Sequence, residues 1–125
     1  MNQAAACPQG AIRLCAVTDI PDGGARELFV GPREDPLHVV MFRQSEHVFA
    51  YRNRCPHFML PLNAGPGRFI MLDGGLVMCA WHSAVFRVAD GAGIDGPCMG
   101  SGLDPLPIEL DGGTVTLKGT PSPSP

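Results

Sequence analysis

The sequence predicts a small all-β domain, built as an antiparallel sandwich or barrel. Sixteen glycines and thirteen prolines in 125 residues are many for this length, and the signals for helices are poor. Short apolar segments alternate with turn residues, and an Asp-Gly-Gly turn separates two such segments at 73–75 and again at 111–113. This pattern is typical of β-hairpins. A chain of this length buries about two-thirds of its unfolded surface, so one domain over residues 11–118 is expected.

The strands are predicted from alternation and from the turns between them. In the first, Ile12 and Leu14 alternate with Arg13, the period of a half-buried strand. The remaining segments continue as a β-meander, which gives predicted strands at 11–17, 26–30, 37–43, 47–52, 69–72, 76–78, 84–88, 106–110 and 114–117. Residues 1–10 are expected to be loosely ordered. The Pro/Ser-rich tail at 119–125 has nothing to bury, which predicts disorder.

Two short motifs combine cysteine with histidine. Cys55 and His57 lie in NRCPHFMLPL, and Cys79 and His82 lie in VMCAWHSAVF. The four side chains can offer two thiolates and two imidazoles to a metal. A structural zinc site also takes two Cys and two His, although zinc fingers usually pair Cys with Cys and His with His. The remaining alternative is coincidence, with the thiols acting as small core side chains.

With these motifs the chain resembles the Rieske iron–sulfur family, in whose centre two His replace two Cys on one iron. The resemblance extends over roughly residues 11–117 through Pro61, Leu62, Phe86, Gly96 and Pro97. It implies one [2Fe–2S] cluster, with Cys55 and Cys79 on one iron and His57 and His82 on the solvent-facing iron. The longer spacing of the motifs, 21 positions at 58–78, is attributed to an enlarged Gly/Pro loop at 63–67, since lengthening a loop costs little.

The resemblance also implies a small cluster-binding subdomain at about 54–102, made of two β-hairpin loops. Gly96 and Pro97 would form the loop that covers the cluster. Cys98 beside them is expected to pack, with a redox role as the alternative. In high-potential relatives, a Ser and a Tyr after the second His donate hydrogen bonds to cluster sulfurs. Ala84 and Phe86 stand at those positions here. Because donors to the sulfurs raise the potential, a low potential is expected.

Composition and motifs exclude several classes of function. A net charge of −3 leaves no basic footprint for nucleic acid. The first residues lack the features of a signal peptide, and no apolar run reaches the length of a membrane span. Five cysteines, two of them assigned to the cluster, leave an odd number that suits a reducing cytoplasm better than disulfides.

No Gly-rich dinucleotide fingerprint is present, and there is no room for a second domain with a two-His-one-carboxylate iron site. The expected function is therefore electron transfer and not catalysis. The prediction is a monomeric Rieske-type ferredoxin between a flavoprotein reductase and a ring-hydroxylating or other terminal oxygenase. The alternatives are a small subunit of a larger oxidoreductase, similar to that of nitrite reductase, and a zinc-stabilised binding module.

The predicted electron exit and docking residues are His57, Phe58, Met59 and His82, whereas His38 and His47 are expected to be plain polar strand residues.

Overall fold

The computed structural model describes residues 11–56 and 59–118, and these are all-β with antiparallel sheets, which confirms the predicted fold class. The strands are β1 Ile12–Ala16, β2 Ala25–Val30, β3 Leu37–Gln44, β4 His47–Arg52, β5 Ile70–Leu72, β6 Leu76–Met78, β7 Val85–Arg87, β8 Gly93–Asp95, β9 Ile108–Asp111 and β10 Thr114–Leu117. Among the described residues, no helix has the length and apolar character needed to cross a membrane. The predictions for residues 1–10 and 119–125 lie outside the described residues.

The strands form three sheets, with the orders β1-β10-β9, β2-β3-β4 and β5-β6-β7-β8. The predicted meander is correct for β2, β3 and β4 and for β5, β6 and β7. It is wrong at the start of the chain, because β1 pairs with β10 near the other end, with Ile12 opposite Leu117. Local alternation predicts that a segment is a strand, but it does not say which distant strand will pair with it.

The sheet β2-β3-β4 forms the middle layer, and its central strand β3 is buried on both faces. Successive side chains of a strand point to opposite faces, so Val39 and Met41 of β3 enter one core and Val40 and Phe42 enter the other. The first core fills the space toward β1-β10-β9 with Cys15, Ile20, Val48, Val115 and Leu117. The second fills the space toward β5-β6-β7-β8 with Tyr51, Cys55, Leu62, Val77, Cys79, Phe86 and Cys98. Both predicted metal-binding cysteines therefore belong to the second core.

Strand β8 was missed in the sequence because it lies in a Gly/Pro-rich stretch with little apolar alternation. Gly93 of β8 packs directly against the backbone of Cys98, where a Cβ atom would collide with the Cys98 carbonyl oxygen. Gly96–Cys98 then form a single turn of 3-10 helix, begun by the Asp95 carboxylate, which accepts a hydrogen bond of 2.8 Å from the Gly96 N–H. The structure of this segment depends on the close approach of the Gly93 and Cys98 backbones, and not on a pattern of apolar side chains.

Candidate metal centre

Two loops carry the predicted ligands: the first loop, residues 55–62, and the second loop, residues 79–84. In the first, the Met59 N–H donates to the Cys55 carbonyl (2.7 Å) and the Cys55 N–H donates to the Leu60 carbonyl (2.6 Å). The second loop repeats both bonds, with lengths of 3.1 and 2.7 Å, through Cys79, Ser83 and Ala84. The residue four positions after each cysteine has φ of 61°, a conformation that is uncommon outside glycine. The two loops are therefore closed by the same pair of backbone hydrogen bonds and share the left-handed residue.

The loops are also tied to each other. The Ala80 N–H donates to the Leu62 carbonyl at 2.8 Å, and the Trp81 indole N–H donates to the Pro61 carbonyl at 2.9 Å. Trp81 thus holds the second loop against the first. These two bonds connect the loops directly.

The thiols of Cys55 and Cys79 are buried side by side beneath the loops. Burial raises the pKa of Cys79, the N–H groups of Trp81 and His82 oppose this by hydrogen bonding to its sulfur, and the adjacent Cys55 thiol raises it further. Those N–H donors favour the thiolate, which is the form that binds metal. The pKa of Cys79 is raised overall, and the two N–H groups are the contacts that stabilise negative charge on its sulfur.

The His82 side chain is exposed on the same loop. His57 and Phe58 lie outside the described residues. Over residues 11–56 and 59–118, no three side chains of His, Cys, Asp or Glu are grouped closely enough to hold a metal ion. The four-residue ligand set thus remains a prediction, of which the structure brings together the two thiols.

A comparison with protein families adds to this geometry. The model for the Rieske [2Fe–2S] domain matches residues 10–117. The chain belongs to this family. Its cofactor is a [2Fe–2S] cluster, as the resemblance implied. Zinc is set aside accordingly, and two adjacent buried thiols with N–H donors on one sulfur suit the all-thiolate iron of a Rieske domain.

Individual relatives are similar in sequence and in fold. Apoptosis-inducing factor 3 of Mus musculus is 29% identical over 105 residues, which are 84% of this chain and 16% of that protein. The chain therefore spans about one-sixth of that relative. The 3-phenylpropionate/cinnamic acid dioxygenase ferredoxin subunit of Photorhabdus laumondii is 28% identical over 107 residues, covering 83% of this chain and 90% of the subunit. A chain in the complex of reduced oxygenase and oxidized ferredoxin of carbazole 1,9a-dioxygenase has the same fold, with a TM-score of 0.70, 23% identity and coverage of 91% and 98%.

The predicted cover loop of the Rieske domain packs against the second loop. Gly96 has φ of +79°, and a Cβ atom there would lie 2.9 Å from the Ser83 carbonyl oxygen and 3.0 Å from the Ala84 Cα. Only glycine fits this contact. Cys98, which completes the same turn, is buried as its predicted packing role requires, but its sulfur also lies 3.3 Å from the Cys55 sulfur.

A buried polar network supports the first loop and was missed in the sequence. The Asn53 side chain accepts a hydrogen bond from the Leu62 N–H and donates one to the Asn63 carbonyl oxygen, both 2.8 Å long. Asn63 in turn donates to the Glu27 carboxylate at 2.9 Å, and the Gly67 N–H donates to the same oxygen. The network thereby anchors both the first loop and the enlarged Gly/Pro loop to the middle sheet.

His38 is part of this network, so its prediction as a plain polar strand residue is incomplete. Its Nε2 lies 2.6 Å from the other Glu27 carboxylate oxygen, and since a carboxylate only accepts, Nε2 is the donor. Glu27 faces Val40 across the sheet and Phe29 faces His38, which makes Glu27 and His38 diagonal neighbours. The strand register that joins them is not readable from either strand alone.

The network also sets the ionisation of Glu27. Burial acts to raise the pKa of this carboxyl, but hydrogen bonds from Gly67, His38 and Asn63, with the charge of His38, outweigh burial and lower the pKa below its ordinary value of 4.5. Glu27 is therefore a charged acceptor for three donors. The two asparagines that flank the first motif, at 53 and 63, are the feature of the sequence from which a polar anchor for the first loop could have been predicted.

Proposed function

We propose that this Rieske domain is a one-electron carrier, a ferredoxin that connects a flavoprotein reductase to a ring-hydroxylating or other terminal oxygenase. The observation that carries the proposal is the arrangement of the two loops, which are closed by matching backbone bonds, bury Cys55 and Cys79 and leave His82 exposed. When bound, the cluster supplies reversible one-electron chemistry at the protein surface. The dioxygenase ferredoxin subunit, matched over 90% of its length, supports this class of function.

Each residue of the site has a distinct part in the proposal. Cys55 and Cys79 hold the inner iron in the core, and His57 and His82 hold the outer iron. His82 gives the shortest route for an electron between the centre and a docked protein, because its side chain is exposed. Gly96 and Pro97 close the site from the side of β8 and limit the access of water to the sulfurs.

An apolar rim, made of one residue on the first loop, one beside His82 on the second loop and one next to Cys98, suits a transient partner. Met59, Trp81 and Met99 expose 57%, 47% and 64% of their surfaces, respectively. Aromatic and methionine side chains are enriched in protein interfaces, and an exposed apolar patch is a common mark of one. Met59 was predicted for docking together with Phe58, whereas Met99 lies far from both motifs in sequence and was not identified.

The reducing cytoplasm and a monomeric state belong to the same proposal. The odd number of cysteines supports the compartment. A small subunit similar to that of nitrite reductase remains the alternative, and stable co-purification with a large oxidoreductase subunit would favour it. A carrier instead elutes as a monomer and binds its partners only briefly.

Met99→Glu should lower the rate of electron transfer from a dioxygenase-system flavoprotein reductase by about tenfold, which corresponds to the loss of one good apolar contact at an interface. Stopped-flow absorbance of the cluster measures this rate under second-order conditions. Leu110→Glu is the matched control, since Leu110 is 41% exposed on β9 in the sheet farthest from the loops. Equal slowing in both variants, or none in Met99→Glu at unchanged potential, would refute docking at the rim.

A further inference from the structure

Cys98 contacts a predicted cluster ligand although it belongs to neither Cys-His motif. Its sulfur lies 3.3 Å from the Cys55 sulfur, within the range of a hydrogen bond between two sulfur atoms. Both side chains are almost completely buried in the second core. The contact joins the cover loop to the first loop across 43 positions of sequence.

The backbone around Cys98 fixes the position of its sulfur. The Cys98 carbonyl accepts a hydrogen bond of 2.9 Å from the Ser101 N–H, and the Ser101 carbonyl accepts one of 2.7 Å from the Gly93 N–H. Gly93 packs so closely that any side chain there would collide with Cys98. Two residues earlier in the same turn, Gly96 packs against Ser83 and Ala84. Cys98 therefore stands on a rigid turn, held between β8 and the second loop.

The chemistry of the pair determines which sulfur donates. Between two thiols either could be the donor, but a cysteine that ligates iron is a thiolate and has no proton left to give. With Cys55 bound to iron, only the Cys98 S–H can donate, and the Cys55 sulfur accepts. A donor to a thiolate is favoured more strongly as negative charge increases, so this bond stabilises the reduced centre more than the oxidised one.

We propose that Cys98 is a positioning residue that raises the reduction potential through an S–H···S hydrogen bond to Cys55. This inference rests on the proposed function, because Cys55 must hold the inner iron. It assigns a role to the cover loop beyond shielding. Ala84 and Phe86 are buried without a side-chain donor, and Cys98 in the same core supplies a donor that these two positions lack.

Three substitutions at Cys98 separate hydrogen bonding from packing. Cys98→Ser keeps a donor, Cys98→Val fills the space without one, and Cys98→Ala does neither. The measurement is the one-electron potential by protein-film voltammetry, with the paramagnetic signal of the reduced protein as a check on the cluster. Cys98→Ala and Cys98→Val should reduce the equilibrium constant for reduction threefold to tenfold, or about 30–60 mV at 59 mV per tenfold for one electron. Cys98→Ser should match or exceed the wild type.

Cys15→Ala is the matched control, because Cys15 is also buried and its sulfur contacts the Met41 sulfur, 3.8 Å away in the other core. Its potential should equal that of the wild type. A wild-type potential in Cys98→Ala overturns the inference. The inference also fails if Cys98→Val keeps the wild-type potential while Cys98→Ser and Cys98→Ala both shift, because the potential would then follow packing and not hydrogen bonding. A wild-type protein without a one-electron couple would overturn the proposed function as well, so the two failures are distinguishable.

Discussion

Replacing His82 by alanine is expected to abolish the paramagnetic signal of the reduced Rieske centre while the fold is retained. In the proposed ligand set the outer iron loses a ligand, whereas His82 is exposed and contributes no side chain to either core. The second loop should keep its shape, because it is closed by backbone bonds between Cys79 and Ser83 and between Cys79 and Ala84. His57→Ala should have the same effect if both imidazoles are ligands. Electron paramagnetic resonance and iron content, with circular dichroism for the fold, measure this.

The matched control is His47→Ala, since His47 is an exposed histidine on β4. It should keep the wild-type signal and two irons per chain, as a [2Fe–2S] cluster requires. A normal signal in His82→Ala would exclude His82 as a ligand. Stoichiometric zinc in place of iron in the wild type would contradict the cofactor itself.

The second large effect is expected from Asn53→Ala. Asn53 is 3% exposed and satisfies the Leu62 N–H, and removing its side chain leaves that buried donor and the Asn63 oxygen without this partner. A buried group left unsatisfied costs about 1–3 kcal/mol, so the free energy of unfolding should fall by about 2–3 kcal/mol. Because the Leu62 carbonyl also holds the Ala80 N–H, the cluster should be lost faster as well. Chemical denaturation and the bleaching rate of the visible absorbance measure the two effects.

An exposed substitution and an acid titration are the controls for the network. His47→Ala, on strand β4, which ends one residue before Asn53, should leave both quantities near wild type. The pKa of Glu27 is lower when folded than its ordinary value of 4.5, so its contribution to stability is present above that pH and is lost as pH falls through the lowered value. Glu27→Gln should remove this acid-dependent part. Unchanged stability in Asn53→Ala would show that the loop does not depend on the network.

The strands were predictable because their information is local. The apolar segment Leu37–Gln44 reads as a strand from its length and its flanking turns, and the Asp-Gly-Gly turns at 73–75 and 111–113 each connect the strands on either side. The metal-binding motifs were equally local, since each pair lies within four residues. The run Val39–Phe42 is apolar without alternation, because the two faces of β3 are buried in different cores.

The features that were missed depend on long-range register and on backbone approach. Cys98 reaches Cys55 only because Gly93 and Gly96 let the cover turn approach β8 and the second loop. Glu27 reaches His38 only through the diagonal register of β2 and β3. Neither contact has a local pattern, and both concern polar or sulfur atoms whose partners are set by the three-dimensional arrangement. Hydrophobic periodicity carries no information about such pairs.

The central claim, a low-potential one-electron carrier with mixed Cys and His ligation, is tested most directly by a redox titration of the wild-type protein followed by electron paramagnetic resonance. Ala84 and Phe86 are buried without a side-chain donor, and the Ser83 side chain is exposed. Backbone N–H groups and Cys98 remain as donors to the sulfurs. The expected result is one Rieske-type signal with a single one-electron transition at the low end of the Rieske range, about −150 mV. A potential well above zero, or the absence of a one-electron transition, would contradict it.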